Sequence, residues 1–236
     1  MIDIGLLVSI AIMVTVPTLF VRPWPLTAVP AGVLDTALGA LVIGLAVGRL
    51  SAVAFDDPGS LTNLGDLMII RSGVEFWPGA LAGLAWLTYR AHRDGVSPTV
   101  RIAALVPAGL TAWSCFEATC LLRGGCPGPV STIGIRPDGL QTSMFPVGLG
   151  VAVAAAASAF ALDRSHRRGL QSLYVVIFAV LGMAAIRSVA SIWLPHIGSG
   201  VTRQHATSIA VLIASSVALI VLSGRRGRAT SAAVVE

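Results

Sequence analysis

Long apolar stretches alternate with short polar ones along the whole chain. Seven apolar stretches can be counted, at residues 4–21, 31–55, 76–91, 99–122, 144–162, 170–194 and 205–223. Most reach the roughly 20 residues that a helix needs to cross about 30 Å of hydrocarbon. The third is short, so we expect it to draw on the GVEF segment at 73–76. The pattern predicts an all-α polytopic membrane protein with seven transmembrane helices.

Composition agrees with this pattern. The chain is 55% hydrophobic and only 11% charged, with a mean hydropathy of +0.85, whereas soluble domains carry about 25% charged residues. A soluble globular domain is therefore excluded. We expect one seven-helix membrane domain at 1–223 and a basic, disordered tail at 224–236. The longest polar stretches, 56–75 and 123–143, contain apolar pieces too short to span. We expect them to form short loop elements packed into one mouth of the helix bundle.

The distribution of basic residues predicts the orientation in the membrane. All sixteen basic residues are arginine, and ten of them follow the first, third, fifth and seventh stretches. The positive-inside rule then places the N-terminus outside and the C-terminus in the cytoplasm. The net charge of +5 thus reflects topology and contact with anionic lipids. No nucleic-acid partner is expected, because the arginines are dispersed and no aromatic residues interleave them.

Two cysteines lie near the predicted outer face. Cys120 and Cys126 are six residues apart in CLLRGGCPG, where an oxidising compartment permits a disulfide. Two free thiols at a helix end are the equal alternative. We expect no metal site, because no histidine lies near them and a third ligand would have to be Cys115.

Five charged residues fall inside or beside the apolar stretches: Asp35, Arg49, Glu75, Glu117 and Arg187. A charge at membrane depth costs roughly 2.5 to 3.5 kcal/mol on insertion scales and is a functional-site hypothesis by default. One interpretation is a set of structural ion pairs. The other is that Arg49 and Arg187 point into one outward-opening cavity and bind a phosphate through bidentate hydrogen bonds. His205, at the start of the seventh stretch, is either an interfacial histidine or a base.

Short motifs run through the chain in a constant order. Gly48-Arg49-Leu50 matches a G-R-I motif and Ala185-Ile186-Arg187 an A-F-R motif. Residues 4–7 are similar to a Y-G-L-M motif, 73–83 to G-G-x-x-F-H-G-G-L-I-G, 106–110 to I-P-x-G-L and 142–145 to S-Q-L-Y. Gln204 corresponds to a glutamine near the start of the last helix. Together they resemble the prolipoprotein diacylglyceryl transferase family over most of the chain.

The resemblance implies a function. Members of this family transfer the diacylglyceryl group of phosphatidylglycerol to a cysteine thiol of a secreted prolipoprotein, at the outer side of the bacterial cytoplasmic membrane. Such a reaction has to activate the thiol and stabilise the departing phosphate. The resemblance therefore assigns Arg49 and Arg187 to lipid phosphate and a phosphatidylglycerol-like phospholipid as partner. It implies no cofactor.

The chain departs from the family at positions that carry chemistry. The family's tyrosine, histidine and signature arginine fall on Ile4, Pro78 and Ser114, and two glutamates fall on Pro146 and Ser191. Two carboxylates stand at altered motif positions instead. Glu75 and Glu117 are therefore the candidate catalytic bases if the chain is active.

Three hypotheses remain open from the sequence. The first is a divergent or catalytically impaired transferase-like protein with a phospholipid-binding cleft. The second is an active diacylglyceryl transferase that acts on a prolipoprotein. The third is an accessory subunit of a larger membrane complex, whose outward helix face is buried against its partner.

Overall fold

Seven α-helices make up most of the computed structural model, which describes residues 4–21, 33–56, 58–62, 74–123, 126, 128–136, 141–194 and 201–233. The helices are α1 (Ile4–Val21), α2 (Val33–Asp56), α3 (Phe76–Arg93), α4 (Pro98–Ala118), α5 (Val147–Arg167), α6 (Ser172–Trp193) and α7 (Arg203–Ala233). Short 3₁₀ helices cover Pro58–Thr62 and Thr119–Arg123, and one strand, β1, covers Val130–Ile135.

The all-α prediction is confirmed, and each apolar stretch coincides with a helix. Of the described helices, five are long and apolar enough to cross a membrane. These segments are Asp35–Asp56, Pro98–Leu122, Val147–Arg167, Ser172–Trp193 and Arg203–Gly224. They indicate a membrane protein. Crossing by α1 and α3 stays a prediction.

The chain divides into two compact units. The hairpin unit comprises Pro25–Leu105 and contains α2, α3 and the first turns of α4. The main unit comprises Met1–Trp24 with Val106–Glu236 and contains α1, the rest of α4, and α5 to α7.

Glycines bring α2 and α3 into backbone contact in the hairpin unit. A Cβ built on Gly79 would stand 2.6 Å from the carbonyl oxygen of Gly44, and one on Gly48 would stand 2.7 Å from that of Glu75. A Cβ on Gly83 would lie 3.2 Å from the carbonyl oxygen of Ala40. Small residues four apart on facing helices are the usual way for membrane helices to approach so closely.

The start of α3 differs from the prediction. We expected the helix to extend back before Phe76, but Val74 and Glu75 are not helical and α3 begins at Phe76. Gly73 lies outside the described residues. The Glu75 N–H donates to the carbonyl oxygen of Gly48 at 3.0 Å. The backbone is therefore hydrogen-bonded to α2 at the residue that precedes α3. Pro78 sits in the first turn, where a helix tolerates proline.

The turn between α3 and α4 holds an ion pair. Arg101, which is buried, donates from Nη1 to Oδ2 of Asp94. The hydrogen bond from the Arg101 guanidinium lowers the pKa of Asp94 below its ordinary value. The carboxylate therefore stays ionised at neutral pH and satisfies a buried cation.

In the main unit, four helix ends meet at one place. α4 and α6 finish where α5 and α7 begin, and Val147, Val151 and Ala190 form a small buried cluster there. Ser114 of α4 donates to the carbonyl oxygen of Ala152 in α5 at 2.7 Å. This interhelical hydrogen bond satisfies a hydroxyl that lipid would leave without a partner.

Two loop elements lie at the same end of the main unit. Cys120 and Cys126 form a disulfide with Cα atoms 5.0 Å apart, which closes the segment that follows α4. The Ser131 N–H donates to the carbonyl oxygen of Ser143, and the Phe145 N–H to that of Pro129, so β1 is paired with the chain that leads into α5. Short elements were expected in 123–143, and a strand is the form that this one takes.

Part of the C-terminal tail lies in α7, which extends to Ala233. The disorder expected for 224–236 as a whole stays a prediction, and residues 234–236 lie outside the described residues. Adding a residue to an existing helix supplies one hydrogen bond per residue fixed and needs no new nucleus. Alanine and arginine are also among the best helix formers.

Candidate functional site

A partly open cavity of about 80 Å³ lies at the end of the main unit where the four helix ends meet. Its volume holds several water molecules or a small polar group. Val147, Val151 and Leu194 form apolar parts of its wall. Its polar and aromatic lining comes from Trp113 and Glu117 of α4, Arg187 and Ser191 of α6, and Gln204 and Ser208 of α7.

Two charges of opposite sign line this cavity. Glu117 stands near the C-terminal end of α4, and Arg187 lies in α6 about two turns before its end. Sequence reasoning identified each of them separately as a charge at membrane depth. The fold brings them to one cavity, because α4 and α6 both end at the same side of the main unit.

Trp113 positions the carboxylate of Glu117. The indole N–H of Trp113 donates to Oε1 of Glu117 at 3.1 Å, and the two residues are one turn apart on the same helix. One oxygen of the carboxylate is thereby engaged from one side. Trp113 also packs against the buried cluster of Val147, Val151 and Ala190, which restrains the indole itself.

A serine and a histidine meet beside the cavity. Oγ of Ser191 lies 2.6 Å from Nδ1 of His205 and 2.9 Å from the carbonyl oxygen of Ser188. The hydroxyl of Ser191 can donate either to this carbonyl oxygen or to Nδ1 of His205, and the tautomer of the histidine decides between them. The pairing joins residues fourteen apart in sequence across the α6–α7 connection.

Arg49 and Glu75, the other predicted site residues, belong to the hairpin unit. Both are buried, with 9% and 6% of their surface exposed. They lie at the same helix crossing, since Gly48, next to Arg49, accepts the hydrogen bond of the Glu75 N–H. Buried charges need partners of opposite sign; that Arg49 pairs with Glu75 stays a prediction. A cavity shared by Arg49 and Arg187 stays a prediction.

The residues at the altered motif positions have structural roles. Ser114 uses its hydroxyl to join α4 to α5, Pro78 lies in the first turn of α3, and Ile4 is exposed at the start of α1. Neither Ile4 nor Pro78 can transfer a proton, and Ser114 cannot supply a cation.

Trp113 and Ser208 are cavity residues that sequence reasoning did not select. Trp113 is one of five tryptophans in the chain, and Ser208 is one of many serines in the helices. The spacing of Trp113 and Glu117, four residues apart on one helix, was the signal available for the first. Ser208 had none.

No protein-family model and no curated protein matches the chain. The likeness to the prolipoprotein diacylglyceryl transferase family thus continues to rest on the short motifs and their order.

Proposed function

We propose that this protein is a divergent, catalytically impaired member of the prolipoprotein diacylglyceryl transferase type that binds a phospholipid headgroup through Arg187. The observation that carries the proposal is the cavity beside Arg187. A guanidinium in a partly open cavity can offer two parallel N–H donors to phosphate oxygens.

The position of the cavity supports a lipid ligand. It lies at the ends of apolar helices that are long enough to cross a membrane, which is the depth at which headgroups meet hydrocarbon. By the predicted orientation this is the outer face.

Impaired catalysis is expected because the residues at three motif positions differ from those of the family. Transfer to a thiol needs a base and a stabilised leaving phosphate, and Ile4, Pro78 and Ser114 supply neither. The expected state of the protein is therefore a lipid-bound one without turnover.

An active transferase is the second candidate. Glu117 lines the cavity and His205 is hydrogen-bonded to Ser191 of its wall, so either group could accept a thiol proton. Measurable transfer of labelled diacylglyceryl from phosphatidylglycerol to a lipobox peptide, abolished by His205→Ala or Glu117→Gln, would establish this candidate and refute impairment.

The binding proposal is tested with short-chain phospholipid and the purified full chain in detergent, by titration calorimetry. Hydrogen bonds to charged groups contribute about 1.5 to 3 kcal/mol, so Arg187→Gln should weaken binding about tenfold or more. Arg93→Gln, at an exposed position at the end of α3, is the matched control and should bind as the wild type does. Equal affinity in Arg187→Gln and the wild type would refute the proposal.

A further inference from the structure

The cavity beside Arg187 is lined by a carboxylate as well as a guanidinium. Glu117 faces the same space as Arg187, and a carboxylate there repels the phosphate of an anionic headgroup. A phosphatidylglycerol headgroup carries one negative charge and two hydroxyls, so it gives Glu117 no cation. The charges of the cavity thus match a ligand that carries both signs.

The surroundings of Glu117 suit an ammonium group. The indole N–H of Trp113 holds Oε1, so the second oxygen can accept from a ligand. The aromatic ring of Trp113 lines the same cavity, and a cation near an indole gains cation–π attraction, more when it is shielded from water. Carboxylate and tryptophan together form the usual protein environment for an organic cation.

The remaining polar groups favour a primary ammonium over a quaternary one. Gln204 and Ser208 line the cavity from α7 and offer acceptor oxygens. A primary ammonium has three N–H donors and can use these oxygens together with Glu117. A trimethylated ammonium has no donor, and it is bulkier in a cavity of about 80 Å³.

We infer that the cavity selects an aminophospholipid with a phosphoethanolamine headgroup, whose phosphate binds Arg187 and whose ammonium binds Glu117 beside Trp113. This inference rests on the proposed function, because it uses the same cavity and the same arginine. It replaces the anionic glycerol headgroup with a zwitterionic one.

The test compares three short-chain lipids that differ only in their headgroup: phosphoethanolamine, phosphoglycerol and phosphocholine. Titration of the wild-type full chain should give an affinity for the ethanolamine lipid about tenfold or more above that for the other two. Glu117→Gln, which keeps the acceptor for Trp113, should lose this preference and should bind the glycerol lipid as well as the wild type does or better. Arg187→Gln should weaken binding of all three.

Each outcome separates the two proposals. Equal or tighter binding of the glycerol lipid by the wild type overturns the ethanolamine assignment, and equal binding of the choline lipid overturns the choice of a primary ammonium. If Glu117→Gln keeps the preference for the ethanolamine lipid, Glu117 does not bind the ammonium group. Insensitivity of all three lipids to Arg187→Gln refutes the proposed function itself. If Glu117→Gln fails to fold, soluble phosphoethanolamine and glycerol 3-phosphate are compared as competitors of lipid binding to the wild type. Weaker or equal competition by phosphoethanolamine would count against the ethanolamine assignment.

Discussion

The contact between α2 and α3 leaves no room for a side chain, which makes Gly79→Ala an informative perturbation. The new Cβ would stand 2.6 Å from the carbonyl oxygen of Gly44, whereas ordinary contact begins at about 3.4 Å. The obstacle is backbone, so no side chain can turn away from it. The two helices would have to separate by the difference, about 0.8 Å, at this crossing.

The expected cost follows from this displacement. Overpacking of a close contact typically costs 1 to 3 kcal/mol. The separation would also strain the hydrogen bond from the Glu75 N–H to the Gly48 carbonyl oxygen, which is 3.0 Å long. Replacing a helical glycine by alanine returns roughly 0.5 to 1 kcal/mol. We expect Gly79→Ala to lower the free energy of unfolding by about 1 to 2 kcal/mol.

The measurement is unfolding by SDS in mixed micelles, monitored by circular dichroism. Gly150→Ala is the matched control, because it lies within α5 and its Cβ would meet nothing within 4 Å. We expect the control to unfold at the same SDS fraction as the wild type or a higher one. Equal unfolding free energies for Gly79→Ala and Gly150→Ala would refute the claim that backbone contact holds α2 against α3.

Two further predictions concern single hydrogen bonds. Ser114→Ala removes the donor to the Ala152 carbonyl oxygen and should lower the free energy of unfolding by about 0.6 kcal/mol, at most about 1.7. Ser158→Ala loses only a hydrogen bond within its own helix and should lower it less in the same SDS titration. The opposite ranking would count against the interhelical role of Ser114. Because the hydrogen bond from Arg101 lowers the pKa of Asp94, that pair should stabilise the protein above the ordinary aspartate pKa, near pH 4, and cease to do so as pH falls through the lowered value. Asp94→Asn should therefore lower the melting temperature at pH 7 and make it less sensitive to acid, and an unchanged melting temperature at pH 7 would contradict this.

Positions of the helices were readable from the sequence, because in a membrane protein one quantity, the length of apolar runs, dominates where helices form. Which helices pack against each other was harder to predict from the sequence. Gly44 and Gly79 each begin a glycine pair spaced by four residues, which is a local signal for close packing. Which glycine faces which carbonyl depends on the register of two helices that are far apart in sequence.

The candidate site was predictable residue by residue and not as an arrangement. Arg187 and Glu117 were conspicuous because charges are costly in apolar runs. The bond between Ser191 and His205 depends on how α7 folds back on α6, which no local pattern encodes.

The disulfide between Cys120 and Cys126 couples one wall of the cavity to the redox conditions in which the protein matures. The Sγ atom of Cys120 lies 3.2 Å from where a Cβ of Gly148 would stand, and Gly148 lines the cavity. Disulfides persist in oxidising compartments and are rare in the cytosol, so in the proposed orientation this wall is covalently closed only after its segment has crossed the membrane. Thiol-alkylation gels of newly made chains would then date closure of the cavity wall, separately from insertion of the helices.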